Sequence, residues 1–259
     1  MKIINLVLAS GLGKRLYPLS TEEKPKQFLK LISENMMVED TLSRFRPFVD
    51  ESYLVTLEKY EKYVDEIENI SVVYEEEREE SGMSVYRALS QIWEDYGDSE
   101  TIIIQTPSDH YIEENESFMS AINKAIFYAQ NNWVSVVGAE PLYSTGEYGY
   151  LKNFHAMEEK PTRAVAKNLI ASGYRWNTAI YAYNLKNMLF TYELIFKKRG
   201  KSFEREILQQ IMDIVKVVPA DIVWNDVGTP EGLERYQFER WKKEEGRKTY
   251  DSRPNKSGV

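Results

Sequence analysis

The sequence contains no cysteine. This absence excludes disulfide bonds and cysteine-based zinc sites, and it is typical of a cytoplasmic enzyme. The sequence also lacks any apolar run near the ~20 residues that a transmembrane helix requires. It does not begin with a basic segment followed by a cleavage site. We therefore expect no membrane association and no secretory leader.

Positive charge is not in excess, because 33 Lys and Arg stand against 41 Asp and Glu, for a net charge of −8. This balance argues against a general nucleic-acid-binding protein. It is compatible with a nucleotide enzyme, because such a site is local and takes its positive charge partly from Mg²⁺. The 259 residues can bury a substantial core as one large domain, or as one domain with a small subdomain.

Segments with strand character alternate with segments of helical periodicity through the first half of the chain. Strands are predicted near residues 3–9, 53–56, 72–74, 101–106 and 133–139. Helices are predicted near residues 38–45, 57–67, 83–96, 116–131 and 163–172. This alternation predicts right-handed βαβ crossovers and an α/β fold with a doubly wound, mostly parallel sheet. Ligands bind such sheets beyond the carboxyl ends of the strands.

The pattern changes from about Tyr148 onward. Strands are predicted at 148–154, 155–159, 174–183 and 214–218, and helices at 185–197, 203–212 and 228–245. The first three strands predict a small mixed-sheet insertion that forms the other wall of a cleft. Thr229 and Pro230 suit the cap and first turn of the last helix. We predict one domain over residues 1–246 and a disordered tail over residues 247–259.

A glycine-containing loop with cations follows the first strand. Gly11 and Gly13 allow backbone N–H groups to approach a phosphate, because no Cβ stands in the way. Lys14, Arg15 and Lys26 can neutralise charge on phosphoryl oxygens. The loop is neither a P-loop nor a G-x-G-x-x-G fingerprint, since the spacing of both motifs is absent. From these residues alone, an ordinary strand–turn–helix joint with surface lysines remains an alternative.

Two aspartates follow separate apolar segments. Asp109 comes after the strand at 101–106, in Thr-Pro-Ser-Asp-His, and Asp226 lies in Val-Trp-Asn-Asp-Val-Gly. Mg²⁺ prefers one or two carboxylates together with phosphate oxygens and water, so the pair suits a magnesium–nucleotide site. Taken alone, each aspartate is more often a turn former or a helix cap.

A third group of polar residues lies in the predicted insertion. Gly149 permits close approach of the backbone to a ligand, and Glu159 can accept hydrogen bonds from sugar hydroxyls. Lys160 can pair with a sugar phosphate, and Asn177 can both donate and accept. The proline after Lys160 favours an extended backbone at that lysine. By itself, a Glu-Lys-Pro sequence is more typical of an exposed hairpin.

The remaining charged segments have simpler interpretations. The acidic run at residues 75–80 is interpreted as a solvated loop before a helix. His110 is interpreted as a buttress of the loop around Asp109, and His155 as a surface residue of a strand.

In their order and approximate spacing, these segments resemble the motifs of sugar-nucleotide pyrophosphorylases, most of all mannose-1-phosphate guanylyltransferases. The family loop reads roughly Leu-Ala-Gly-Gly-x-Gly-x-Arg-Leu-Trp-Pro-Leu-Ser, followed by Tyr-Pro-Lys-Gln-Phe. This chain matches it from Leu8 to Phe28 and departs from it at Ser10, Tyr17 and Lys24. The later motifs Asp-His, Tyr-Gly-Tyr, Glu-Lys-Pro, Trp-Asn and Asp-Val-Gly also occur. The resemblance spans roughly residues 2–233.

The resemblance implies a nucleotidyltransferase catalytic domain of Rossmann-like fold, without the C-terminal β-helix that many such enzymes carry. The implied nucleotide-binding residues are Leu8, Ala9, Gly11, Gly13, Lys14, Ser81 and Gly82. The implied catalytic residues are Arg15 and Lys26, and the implied metal ligands are Asp109 and Asp226. The implied sugar-phosphate residues are Gly149, Glu159, Lys160 and Asn177.

The predicted reaction is formation of GDP-mannose and pyrophosphate from GTP and mannose 1-phosphate, with Mg²⁺, by in-line attack on the α-phosphate. Glu80, Ser81 and Gly82 stand where the mannose enzymes usually carry Asn-Thr-Ala, and Thr178-Ala179 replaces Ser-Gly. Another hexose 1-phosphate with UTP or dTTP therefore remains an alternative. A catalytically lapsed paralogue that binds nucleotide sugars and regulates a partner is a further one. A homodimer is compatible with the sequence.

Overall fold

The structure is a computed structural model that describes residues 1–97, 100–153, 155–195 and 202–251, with side chains described as far as residue 242. Its strands are β1 (Lys2–Leu8), β2 (Glu51–Leu57), β3 (Ser71–Glu75), β4 (Thr101–Pro107), β5 (His110–Ile112), β6 (Val134–Ala139), β7 (Gly149–Leu151), β8 (Glu158–Glu159), β9 (Arg175–Asn184), β10 (Val215–Ala220) and β11 (Trp224–Asp226). Its α-helices are α1 (Met37–Phe45), α2 (Glu61–Val64), α3 (Ser81–Tyr96), α4 (Glu116–Gln130), α5 (Arg163–Ala171), α6 (Leu185–Ile195) and α7 (Pro230–Asp251).

The central sheet follows the order β10-β6-β9-β4-β1-β2-β3. The pairs β1–β2, β1–β4, β2–β3 and β6–β10 are parallel. Only β9 on this path runs antiparallel to its neighbours, β4 and β6. The prediction of an α/β fold with a mostly parallel sheet is therefore confirmed.

Strand β9 belongs to two parts of the fold. Its last residues, Tyr181–Asn184, pair with β4, and most of its length pairs with β6. Its first residues also pair with β7, which in turn pairs with β8. The sequence analysis assigned the whole strand at 174–183 to the insertion. Its position inside the main sheet is set by long-range pairing, which local pattern does not specify. As a result, one strand connects the insertion rigidly to the centre of the sheet.

Helices cover both faces of the sheet, because successive strand residues point to opposite sides. Ile103 of β4 joins the core cluster with α3 and α6, whereas Ile102 and Ile104 join the cluster with α4. Helix α4 begins at Asn115, whose side chain accepts from the backbone N–H of Phe118 at 2.9 Å. Within the described ranges, each helix is either too short or too polar to span a bilayer.

Several predicted elements differ in detail from the observed ones. The helix expected at 57–67 starts later, because Leu57 still belongs to β2. It consists of a 3₁₀ turn at Glu58–Tyr60 followed by the short helix α2. The helix expected at 203–212 is a π-helical turn at Phe203–Ile207 followed by a 3₁₀ segment at Leu208–Ile214. The start of the tail predicted from Arg247 overlaps α7, and residues 252–259 lie outside the described residues.

Candidate active site

The loop after β1 is fixed on the neighbouring strand β2. The Ala9 N–H donates to the carbonyl of Val55 at 2.8 Å. The Ala9 carbonyl accepts from the Gln27 amide at 2.5 Å and from the Thr56 hydroxyl at 3.2 Å. The chain then passes through Gly13 with φ of 65°, a left-handed conformation that favours glycine. The Leu8–Gly13 segment is thus held in one position at the carboxyl end of the sheet.

Lys26 lies directly against this loop. A Cβ placed on Gly11 would lie 3.5 Å from Lys26 Cε, and one on Gly13 would lie 3.1 Å from Lys26 Cβ. Lys14 and Arg15 occupy the 3₁₀ turn that follows Gly13. The structure therefore brings the three predicted cations and the two glycines into one unit at the end of β1.

The two predicted metal ligands meet through a small sheet that the sequence analysis did not identify. Asp109 directly precedes β5, and Asp226 ends β11. The two strands pair antiparallel, with Asp226 opposite His110. One ligand atom from each of Asp109, His110 and Asp226 lies within 4.8 Å of the others. Two nearly buried carboxylates at this separation fit a hard divalent cation such as Mg²⁺.

Gly228 leaves the space between these aspartates open. A Cβ at this position would collide with Asp109 Oδ2 and would lie 2.9 Å from Asp226 Oδ1 and 2.5 Å from Lys26 Nζ. The Gly228 N–H also donates to Asp226 Oδ1 at 3.0 Å, which orients that carboxylate. The sequence analysis gave Gly228 no role of its own. The signal available was its place two residues after an aspartate in Asp-Val-Gly.

Positive side chains neutralise the aspartates. Lys26 Nζ contacts Asp109 Oδ2, and one guanidinium nitrogen of Arg15 lies 3.8 Å from Asp226 Oδ2. Burial alone would raise the pKa of Asp109, but the charge and hydrogen bond of Lys26, together with the other neighbouring groups, outweigh burial and lower the pKa of this carboxyl. Another nitrogen of Arg15 lies 3.9 Å from Glu147, so the arginine connects Asp226 with the residue that precedes the insertion.

His110 has the geometry of a support for Asp109. Trp224 Nε1 donates to His110 Nδ1 at 3.2 Å, and the two rings meet edge to face at 5.2 Å. Burial lowers the pKa of His110, which favours the neutral ring, although the charges of Asp109 and Asp226 oppose this effect. The remaining nitrogen, Nε2, lies 4.0 Å from Asp109 Oδ1. These contacts support the predicted buttressing role.

The insertion brings three of its predicted residues together. Gly149 in β7 pairs with Glu159 in β8. A Cβ on Gly149 would lie 2.6 Å from Glu159 Oε2 and 3.4 Å from Asn177 Cβ. The Asn177 amide donates to the Tyr181 hydroxyl at 2.8 Å and accepts from the Ala179 N–H at 2.9 Å. The amide is therefore held in one orientation beside the Glu159 carboxylate.

The charges on this wall include a residue that the sequence analysis missed. Burial raises the pKa of Glu159, and the charge of Glu204 adds to that effect, whereas the charge of Lys160 opposes it. Glu204 accepts from the Ser202 hydroxyl at 2.8 Å. No motif signals Glu204, because it lies in a segment whose only pattern is helical periodicity.

Lys160 has a different backbone from the one expected. Its φ is 50°, so the residue is left-handed rather than extended. The Lys160 N–H donates to the carbonyl of Tyr148 at 3.3 Å, and this turn overrides the preference set by the following proline. Its ammonium lies 3.7 Å from Glu159 Oε1, with about half of the side chain exposed.

The first turn of α3 contacts the segment that carries Glu204. The Ser81 hydroxyl accepts from the backbone N–H of Phe203 at 3.0 Å and lies 3.5 Å from Glu204 Oε2. Gly82, next in the helix, is buried. The acidic run before this helix is not wholly solvated as predicted, because Glu75 is fully buried at the end of β3. A strand end holds Glu75 inward, which the charge pattern alone could not reveal.

Comparisons with known proteins agree with this geometry. The profile of the nucleotidyl transferase family matches residues 4–240. A xanthan biosynthesis protein, XanB of Xanthomonas campestris, is 25% identical over 276 residues, covering 89% of this chain and 58% of that protein. A mannose-1-phosphate guanylyltransferase of Salmonella muenchen is 25% identical over 207 residues, covering 73% of this chain and 44% of that protein. The chain thus spans about half the length of these curated relatives.

A solved structure supports the same relationship. The crystal structure described as mannose-1-phosphate geranyltransferase from Thermus thermophilus matches with a TM-score of 0.81 and 25% identity. The match covers 91% of this chain and 79% of that chain. The resemblance inferred from the motifs is confirmed.

Proposed function

Because the chain belongs to the nucleotidyl transferase family, we propose that it joins a nucleoside triphosphate to a sugar 1-phosphate and releases pyrophosphate. One observation carries the proposal. Lys26 contacts Asp109, while Arg15 lies within 4 Å of both Asp226 and Glu147. Cations, paired carboxylates and the insertion that carries Glu159 therefore meet at one edge of the sheet. We also propose that residues 1–246 act as one catalytic domain.

The reaction requires positioning and charge neutralisation rather than a protein nucleophile. A phosphate oxygen of the sugar 1-phosphate attacks the α-phosphate in line, and pyrophosphate leaves. Arg15 and Lys26 would stabilise the negative charge that develops on the departing group. Asp109 and Asp226 would hold Mg²⁺, which supplies further positive charge to the phosphates when it is bound. Gly11 and Gly13 would present backbone N–H groups to the triphosphate, alongside Leu8, Ala9 and Lys14.

The opposite wall would bind the sugar 1-phosphate. Glu159 and Asn177 would hydrogen-bond to the hydroxyls, and Lys160 would pair with the phosphate. The half-exposed ammonium of Lys160 is free to move, because its 3.7 Å contact with Glu159 is long. Gly149 keeps this surface open, since a Cβ there would lie 2.6 Å from Glu159 Oε2.

We propose GTP and mannose 1-phosphate as the substrates. The support comes from relatives whose names specify a mannose-1-phosphate guanylyltransferase. Ser81 and Gly82 would then lie beside the base. Their side chains depart from the family motif, which keeps another hexose 1-phosphate with UTP or dTTP as the second candidate. The presence of Arg15, Lys26 and both aspartates disfavours a catalytically lapsed paralogue.

A substrate panel tests the proposal. Four nucleoside triphosphates are combined with several sugar 1-phosphates, and pyrophosphate release is measured with Mg²⁺ present. We expect the fastest release with GTP and mannose 1-phosphate, and a decrease of about a hundredfold or more for Asp226→Asn. Faster release with UTP or dTTP would favour the second candidate. Absence of release with every pair, from protein that still binds a nucleotide sugar, would favour the lapsed paralogue.

A further inference from the structure

Lys26 shares its carboxylate partner with the proposed metal. Its ammonium contacts Asp109 Oδ2, and both side chains are nearly buried, with exposed fractions of 15% and 10%. The ammonium also lies near the Asp226 side, because one Cβ built on Gly228 would approach Lys26 Nζ and Asp226 Oδ1 together, at 2.5 and 2.9 Å. Lys26 therefore places a positive charge within the ligand set of Asp109 and Asp226.

An ammonium and a divalent cation cannot both occupy this space. Two positive charges a few ångströms apart repel strongly where water is largely excluded. A hard cation also needs the carboxylate oxygen that Lys26 now contacts. The two cations are thus alternative partners of Asp109. Arg15 is not in the same position, since it lies 3.8 Å from Asp226 and about half of its side chain is exposed.

The Lys26 ammonium can also reach a second position. Its aliphatic side chain runs along the Leu8–Gly13 segment, with Cβ near Gly13 and Cε near Gly11. Rotation about the side-chain bonds alone can move the ammonium from Asp109 to the side of the loop that would hold the triphosphate. The backbone need not move, because the loop is already fixed through Ala9 and Gln27.

We propose that the Lys26 ammonium occupies the position of the divalent cation at Asp109. Lys26 leaves Asp109 only when the metal enters with the nucleoside triphosphate. This inference rests on the proposed function. Lys26 neutralises Asp109 first and the triphosphate afterwards, so metal and nucleotide bind with positive cooperativity. Free metal binds weakly, because it must displace a tethered ammonium without offering that ammonium a new partner.

Metal binding to the full chain tests this without turnover. Mn²⁺ is titrated into wild type, Lys26→Met and Lys24→Met without nucleotide, and bound Mn²⁺ is followed by electron paramagnetic resonance. Lys24→Met is the matched control, because Lys24 is exposed and the change in charge and size is the same. We expect Lys26→Met to bind Mn²⁺ about tenfold or more tightly than wild type, and Lys24→Met to stay within about twofold.

A second comparison examines the coupling. A non-hydrolysable GTP analogue should tighten Mn²⁺ binding by a clearly larger factor in wild type than in Lys26→Met. Lys26→Gln replaces the methionine variant if that variant misfolds. Unchanged or weaker Mn²⁺ binding after removal of the Lys26 charge would overturn the inference. If the wild-type protein releases pyrophosphate, such a result leaves the proposed function intact. Conversely, a protein that releases no pyrophosphate could still bind Mn²⁺ more tightly after removal of the Lys26 charge.

Discussion

Glu75 ends β3 and is fully buried, yet neither carboxylate oxygen makes a well-formed hydrogen bond. Burial raises the pKa of this carboxyl, and the neighbouring hydroxyls of Ser10 and Ser84 only partly offset that effect. A buried polar group without partners is costly, and an ionised one more so. At the residue scale, Glu75 is therefore a source of instability next to Ser10 in the Leu8–Gly13 segment.

Glu75→Gln should raise the free energy of unfolding at neutral pH by roughly 1–2 kcal/mol, because it removes a buried charge. Because the pKa of Glu75 is raised in the folded state, the wild-type residue contributes most to the free energy of unfolding below its ordinary pKa of 4.5. This contribution falls as pH rises through the folded-state pKa. The advantage of the variant should therefore shrink as pH falls toward 4.5. Urea unfolding at two pH values measures this. Exposed Glu76→Gln is the control, and a pH-independent difference would contradict the argument.

Ala179 is a non-glycine residue with φ of 56°. It lies in β9 where the pairing with β6 shifts register, and a left-handed residue at such an irregularity is normally glycine. Ala179→Gly should relieve about 1–2 kcal/mol of strain and lose about 0.5–1 kcal/mol to backbone entropy. We expect a net gain of about 0.5–1 kcal/mol in unfolding experiments. Asn69→Gly, at φ of 59°, should gain less, because asparagine tolerates this region.

At the scale of elements, the turn between β11 and α7 forms the corner that we propose binds the metal. Asp226 ends the strand, Gly228 leaves room between the aspartates, and Thr229 caps the helix. The Thr229 hydroxyl accepts from the Gly232 N–H at 3.0 Å. The predicted cap at Thr229 is therefore confirmed. Asp226 and Gly228 thus belong to the proposed metal site, whereas Thr229 stabilises the start of α7.

Gly228→Ala should abolish most pyrophosphate release while the protein stays folded. The added methyl group would collide with Asp109 Oδ2 and approach Lys26 Nζ and Asp226 Oδ1, so it would displace charged groups rather than apolar core atoms. We expect a loss of about a hundredfold or more in activity, comparable with losing one carboxylate ligand. Activity and thermal unfolding are measured together. Near wild-type activity would show that the corner has more space than the contacts indicate.

Thr229→Ala tests the other half of the same turn. Loss of the cap should lower the free energy of unfolding by about 1 kcal/mol. Mn²⁺ binding should be retained, because the hydroxyl contacts Gly232 and the carbonyl of Asp226 but no carboxylate oxygen. Urea unfolding and metal titration separate the two effects. Normal stability together with lost metal binding would instead show that Thr229 contributes to the metal site.

Elements with long apolar runs were predictable from the sequence, whereas the short strands β5 and β11 were not. The central strand β1 reads Lys-Ile-Ile-Asn-Leu-Val-Leu, which is typical of a strand buried on both faces. In contrast, β5 and β11 have three residues each and contain polar side chains. They form through pairing with each other, and local propensity carries no information about that partner.

At the scale of the whole molecule, the site was more predictable than the packing that forms it. The proximity of Asp109 and Asp226 was predictable, because polar residues after apolar strands lie at the ligand-binding edge of such sheets, and the structure brings the two side chains together. Glu75, Glu204 and Gly228 were not, since burial and proximity across the fold decide their roles. Motif order predicted which residues form the candidate site, whereas strand order had to come from the structure.

The proposed site has two walls, which are the carboxyl ends of β1 and β4 on one side and the insertion on the other. Strand β9 connects the two. Its last residues pair with β4, which leads to Asp109, and its first residues pair with β7 of the insertion. A rigid connection of this kind predicts that a change confined to one wall affects the binding of one substrate. Lys160 is the most direct test, because its ammonium contacts only Glu159 among the ion pairs of the described residues.

Lys160→Ala should weaken mannose 1-phosphate binding by about 1–2 kcal/mol, the value of one charge-assisted hydrogen bond discounted for a half-exposed side chain. The nucleoside triphosphate should bind almost as to wild type, since Gly11, Gly13 and Lys26 lie on the other wall. Calorimetric titration with each substrate separately measures both. Lys167→Ala, an exposed lysine of α5, is the control for a change in net charge. Weakened triphosphate binding with normal sugar-phosphate binding would exchange the proposed roles of the two walls.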